Sequence, residues 1–171
     1  RAFDWGKVTR NPMRVSGPAG IPRGLEEEPI TRQEELPVVR WIPLGNNSYT
    51  ADFGRNFAGW CRLKVHVPAD CKITLRFAEF LYQDNHVNQE NLLEDYATDV
   101  FISSGSGETE TFEPHFTYHG FRYVKVEGIT KDQATPELLT YVVFHSDIKS
   151  RGGFSCSDET VNKLQEITRR S

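Results

Sequence analysis

The sequence predicts an all-β fold, an antiparallel β-sandwich followed by one short helix at the C-terminus. Three observations predict it. From Tyr49 onward apolar and polar residues alternate with period two, the period of a half-buried strand. Turn-forming runs, Pro68-Ala69-Asp70, "SGSGE" and "GITKDQATPE", interrupt that alternation. No helical spacing occurs before the last residues, and many short strands without helices pack as sandwiches or barrels.

The elements follow in order. Residues 1–24 are rich in Gly and Pro and read as an extended lead-in or the tail of a preceding domain. Residues 25–150 read as the sandwich. Its opening stretch, "LEEEPITRQEELPVVRWIPL", holds the acidic clusters Glu26–Glu28 and Glu34–Glu35, which read as a solvated face. "WCRLKVHV" places Trp60, Arg62, Lys64 and His66 on one face and Cys61, Leu63, Val65 and Val67 on the other. "CKITLRFAEF" repeats the pattern with Cys71, Ile73, Leu75 and Phe77 apolar. Only Pro68–Asp70 separates the two runs, which predicts a hairpin with Val65 opposite Ile73 and Leu63 opposite Leu75. In that register Cys61 and Cys71 lie too far apart to bridge, and both are expected buried and reduced. Further strands are expected at 98–103, 109–116, 121–127 and 138–146. The last, "LLTYVVFHS", is apolar at both parities and is expected to be covered on both faces. Residues 151–171 read as a linker and a first helix of a further domain, with Ser157 or Asp158 as N-cap and Val161, Leu164 and Ile167 at helical spacing.

Composition narrows the function classes. The chain has 171 residues, 37% of them hydrophobic, enough for one core. A net charge of −4 with no Lys/Arg stripe excludes nucleic acid as the expected partner. No apolar run approaches the roughly 20 residues of a membrane span, so no membrane partner is expected. Three cysteines without a C-x-x-C pair suggest neither a disulfide framework nor a zinc site. No metal and no cofactor is expected.

Several motifs are decoys. His115 and His119 have the i, i+4 spacing of a helical zinc pair, but on a strand four residues span roughly 13 Å. "DFG" (Asp52–Gly54) lacks the companion segments of a kinase. No Glu/Asp pair stands out as the two carboxylates of a glycosidase. Two charges do break the pattern. Glu79 and Arg122 both fall on apolar parity, which predicts a buried structural ion pair between them, with a ligand-binding Arg122 as the alternative. A bulge at Gly120 would reverse that register. Trp60, His119 and Tyr123 lie on polar strand faces and are the candidate carbohydrate-binding residues, set against plain packing under a loop or a neighbouring domain.

"DFGRNFAGWCRLKV", "LRFAEF", "NLLEDYATDVFISSG", "TFEPHFTYHGFRYVKVEG" and "VVFHSDIKSRGGFSCSDETVNKL" occur in the order seen in bacterial α-L-rhamnosidases. The chain resembles that family from about Pro29 to its end. The resemblance implies a jelly-roll or concanavalin-like β-sandwich directly before a catalytic (α/α)6 barrel, with "GGFSCSDETVNKL" as the junction. It implies an inverting hydrolase that releases terminal α-L-rhamnose, whose acid and base carboxylates belong to the barrel. No catalytic residue is therefore assigned to this chain, and "FTYHGFRYVKVEG" reads as a core strand. The implied partners are the (α/α)6 domain of the same polypeptide and rhamnose-containing glycans, in a secreted, periplasmic or cytoplasmic setting that the sequence leaves open. The family usually has Gln where this chain has Arg55. Two other readings stand beside this one: an autonomous carbohydrate-binding module, and a purely structural or protein-interaction sandwich.

Overall fold

The computed structural model describes residues 13–92 and 97–170. In chain order the strands are β1 (Ile30–Pro37), β2 (Arg40–Gly45), β3 (Ser48–Val65), β4 (Lys72–Ala78), β5 (Phe80–Leu81), β6 (Val87–Asn88), β7 (Thr98–Ile102), β8 (Glu110–Phe112), β9 (His119–Glu127) and β10 (Leu139–Ser146). A helix, α1 (Glu159–Arg170), follows them. The strands run in the spatial order β1-β10-β3-β9-β4-β7, with β2 and β8 also beside β3 and a separate β5–β6 pair. Every one of these ladders is antiparallel.

One long strand makes the sandwich. Ser48–Asp52 of β3 pair with β9 from Glu127 to Tyr123, and Phe57–Gly59 pair with Phe121–His119. The residues between Asp52 and Phe57 outnumber those between Tyr123 and Phe121, so β3 must bend outward there. Gly54 takes the turn at φ 76°, a backbone conformation open to glycine. Before the bend β3 runs beside β2; after it β3 runs beside β10 and β8. The strand thus turns a corner and serves both layers.

The two layers meet in one core. Ala51, Phe53, Ile73, Leu75, Phe77, Val124 and Val126 pack with Cys61, Leu63, Leu139 and Tyr141. Tyr141 is the pivot at the corner. Its ring stacks on Phe121 with centroids 3.9 Å apart and stands edge-on to Phe53 at 5.2 Å. Its hydroxyl donates to the Phe121 carbonyl at 2.9 Å and to the Phe57 carbonyl. Burial holds that phenol well above its ordinary pKa.

The structure corrects four expectations. The hairpin between residues 60–67 and 71–80 does not form, because β4 pairs with β7 and β9 while the second half of β3 pairs with β8 and β10. The segment 66–71 instead carries the chain from one layer to the other. The expected parity survives: Cys61, Leu63, Val65, Ile73, Leu75 and Phe77 are all buried. Alternation reports which face meets the core, and two strands facing each other across a core alternate just as two ladder neighbours do. Cys71 is the second correction. It is half-buried, next to Asp70 in the left-handed region, whereas Cys61 is fully buried; both are free thiols. Third, the strands begin before Tyr49: residues 30–37 and 40–45 form β1 and β2, while Glu26–Glu28 and Glu34–Glu35 are exposed, as a solvated face should be. β1 is an edge strand, largely exposed, which needs few apolar residues and so leaves little pattern. Fourth, the strand expected over 109–116 shrinks to β8; Pro114 follows, and Phe116 has φ 60° with its ring exposed.

Other expectations match. In β10, Leu139, Tyr141, Val142 and Val143 are buried, because the strand lies between β1 and β3. Asp158 caps α1, accepting the Thr160 and Val161 N–H groups at 2.8 and 3.3 Å. Residues 13–29 are exposed and carry no strand or helix. The first part of the expected lead-in, residues 1–12, and residues 93–96 of "NLLEDYATDV" lie outside the described residues.

Candidate functional site

The corner of the sandwich concentrates the polar chemistry. Asp52 is the last β3 residue before the bend and is buried. Its carboxylate accepts the Gly54 N–H at 2.8 Å, which folds the bend back on itself. It also accepts Arg122 Nε at 2.9 Å and Nη2 at 3.2 Å, and Arg40 Nη2 at 3.5 Å. Burial pushes the Asp52 carboxyl up, but the Arg122 and Gly54 hydrogen bonds and the two nearby arginines outweigh it. The net result lies below the usual carboxylate range. The Arg122 guanidinium in turn lies 4.9 Å from the Tyr123 ring centroid.

This arrangement overturns the expected Glu79–Arg122 ion pair. Phe121 and Val124, three positions apart, are both fully buried. A regular strand cannot put both inward, so Arg122 and Tyr123 both turn away from the core between them. The bulge next to Gly120 reverses the parity that made Arg122 look core-facing. Its partner is Asp52, and its side chain is 38% exposed.

Glu79 takes a different role at the same corner. It follows β4 and is half-buried. Asn56 Nδ2 donates to its Oε1 at 2.7 Å and Asn91 Nδ2 to its Oε2 at 3.5 Å. The bend residues 54–58, Glu79, Gly120 and one side of α1 enclose a cleft of about 620 Å³. Arg55 stands exposed on its wall.

The three candidate sugar-binding residues are not brought together. Trp60 points outward from its layer, where Phe144 packs on its ring at 4.4 Å and the Arg32 guanidinium at 5.6 Å. Its indole Nε1 is buried and has no hydrogen-bond partner among the described residues. His119 is drawn inward, its side chain only 12% exposed; the ring stacks on Phe77 at 4.3 Å, with Nε2 3.2 Å from Asp99 Oδ1. Tyr123 lies on the other layer, beneath Arg122. Near Trp60, Arg62 bridges Glu35, through bonds of 2.7 and 2.8 Å, and Glu113. That fork holds Glu35 below the ordinary carboxylate range.

Sequence reasoning missed Asp52, Arg40, Asn56 and Asn91. Asp52 had a signal: a lone acid between Ala51 and Phe53, two residues before Gly54. An acid inside an apolar run must find a partner, but the partner comes from a strand seventy residues away. Asn56 and Asn91 carried none.

Residues 43–145, which include the whole bend, match the bacterial alpha-L-rhamnosidase concanavalin-like domain. The chain belongs to this family. Its sandwich is therefore a rhamnosidase-type concanavalin-like domain. An alpha-L-rhamnosidase of Streptomyces avermitilis is 35% identical over 136 residues, covering 80% of this chain and 13% of that protein. One of Alteromonas sp. is 29% identical over 164 residues, covering 95% of this chain and 17% of that protein. The solved alpha-L-rhamnosidase of Dictyoglumus thermophilum superposes with a TM-score of 0.79 at 34% identity, over 84% of this chain and 16% of that one. The domain thus spans under a fifth of the length of the relatives it matches.

Proposed function

We propose that this chain is the non-catalytic β-sandwich of a longer α-L-rhamnosidase, an inverting glycoside hydrolase of terminal α-L-rhamnose, and works beside a catalytic (α/α)6 domain on the same polypeptide. The observation that carries the reading is the match of residues 43–145 in relatives of which the chain is only a small part. The chemistry of the sandwich supports it. A glycosidase needs a carboxylic acid whose pKa is raised so that it can protonate the leaving oxygen. Among the described residues, the carboxyls whose pKa is displaced, Glu35, Asp52, Glu110, Glu127 and Glu137, are all displaced downward by hydrogen bonds or cations. They serve as structural anions.

The test is an assay of the purified chain with an aryl α-L-rhamnoside, beside a longer polypeptide that carries the chain together with a helical domain. The expected result is turnover by the longer protein and none by the chain alone. Turnover by the chain that persists through further purification would overturn its non-catalytic role.

A further inference from the structure

The carboxylates of this sandwich find different partners: Glu110 accepts backbone N–H groups and Asp99 meets His119. Asp52, Glu35, Glu113 and Glu127 each meet an arginine. Glu79 is held instead by two neutral carboxamides, those of Asn56 and Asn91. Among the described residues no lysine, arginine or histidine forms a salt bridge with it. Each carboxylate oxygen accepts one N–H and keeps capacity for another donor. On the same cleft Arg55 presents a guanidinium that makes no hydrogen bond or ion pair among the described residues. The cleft therefore holds an oriented acceptor and an unused fork of donors that do not neutralise each other, while the Lys163 and Glu166 that α1 adds to its wall pair with each other at 3.1 Å. Gly120 adds no side chain to the floor; even a Cβ there would stand 3.9 Å from Glu79 Oε1. The volume, about 620 Å³, lies in the range of small-ligand sites.

We propose that this corner cleft is a binding site for a neutral, hydroxyl-rich pyranose, of which a rhamnosyl unit is the expected case. The choice of rhamnose rests on the proposed rhamnosidase role; the site itself does not. A sugar hydroxyl both donates and accepts. Hydroxyls of one ring can donate to Glu79 and accept from Arg55, which meets both groups without bringing their charges together. An anionic ligand would meet the Glu79 carboxylate, and a cationic one the Arg55 guanidinium. A neutral polyol satisfies both. Asn56 and Asn91 fix the Glu79 rotamer in advance, which lowers the ordering cost of binding.

The experiment is a titration of the isotope-labelled chain with methyl α-L-rhamnopyranoside, followed by backbone amide shifts. Saturable shifts confined to residues 54–58, Glu79 and Gly120 are expected. Affinity should drop about fivefold or more in Arg55→Ala and in Glu79→Gln, each of which removes one charged hydrogen bond to the sugar. Arg55 is exposed, so its variant should melt within about 2 °C of the parent, which separates lost binding from lost folding. No saturable shift at the corner, or an affinity equal to the parent's in either variant, overturns the proposal. So does an Arg55→Ala change that leaves sugar affinity intact and lowers only the melting temperature of the longer protein, since that marks the corner as a contact between domains. Hydrolysis of a rhamnoside by the longer protein without corner shifts removes this inference and leaves the proposed function standing. Corner shifts without hydrolysis do the reverse.

Discussion

Arg122 grips Asp52 with two bonds, Nε to Oδ1 at 2.9 Å and Nη2 to Oδ2 at 3.2 Å, and so ties β9 to β3 where β3 turns from one layer to the other. The Asp52 side chain is 6% exposed and that of Arg122 38%. The pair is unequal: removing the arginine strands a buried anion, whereas removing the aspartate frees a cation that can reach water. Arg122→Ala should cost about 1–3 kcal/mol, below the range for a fully buried pair because Arg122 is partly solvated and Arg40 remains near Asp52. In a double-mutant cycle Asp52→Asn and Arg122→Ala should couple by about 1 kcal/mol or more, and Glu79→Ala with Arg122→Ala should add. Denaturant midpoints of the singles and doubles check this. Coupling between Glu79 and Arg122 instead would mean that the bulge after Phe121 is misplaced.

The same pair sets an acid limit. The Asp52 pKa is lower folded than unfolded, so its contribution is fully present above the unfolded value, about pH 4, and is lost as pH falls through the folded value. The stability gap between the parent and Asp52→Asn should hold steady from about pH 7 to 5 and narrow below about pH 4. Urea melts across that range measure it. A gap that stays constant to about pH 2 would show that Asp52 is not held by cations in the folded state.

Thiol reactivity should rank by burial. Cys156 is exposed, Cys71 half-buried and Cys61 fully buried, and burial holds the Cys61 thiol well above its ordinary pKa. Under native conditions a thiol reagent should label Cys156 first, Cys71 more slowly and Cys61 only on unfolding. Peptide mapping after timed labelling resolves the three. Early labelling of Cys61 would contradict the packing of β3 against the core.

Two glycines of the corner should respond oppositely to alanine. A Cβ on Gly59 would lie 2.2 Å from the Val142 carbonyl oxygen and 2.7 Å from the Tyr141 ring, against backbone that cannot give way. Gly59→Ala should cost about 3 kcal/mol or more, or prevent folding. At Gly120 the nearest atom to a Cβ is 3.9 Å away, and Gly120→Ala should stay within about 1 kcal/mol of the parent. Expression and thermal melts of the two variants decide it. A Gly59→Ala protein as stable as the parent would mean that β3 and β10 do not pack as closely as described.

The sequence by itself determined the layer class and the faces. Period two put Cys61, Leu63, Val65, Ile73, Leu75 and Phe77 inside, and all six are. It narrowed the helix start to Ser157 or Asp158 and, through the order of its motifs, pointed to the family. Those signals are local or additive along the chain, so they survive without coordinates. Only the tertiary structure decided which strands pair. The alternation of residues 60–67 and 71–80 is the same whether the two runs share a ladder or face each other across a core, and here they face each other. The Glu79–Arg122 pair failed for a related reason: one extra outward residue between Phe121 and Val124 inverts every parity inference that crosses it. The corner cleft was beyond reach altogether. Its carboxylate, its two carboxamides and its guanidinium come from β3's bend, the end of β4 and the segment after β6, and no periodicity within any of them says that a bend in one strand will set them side by side.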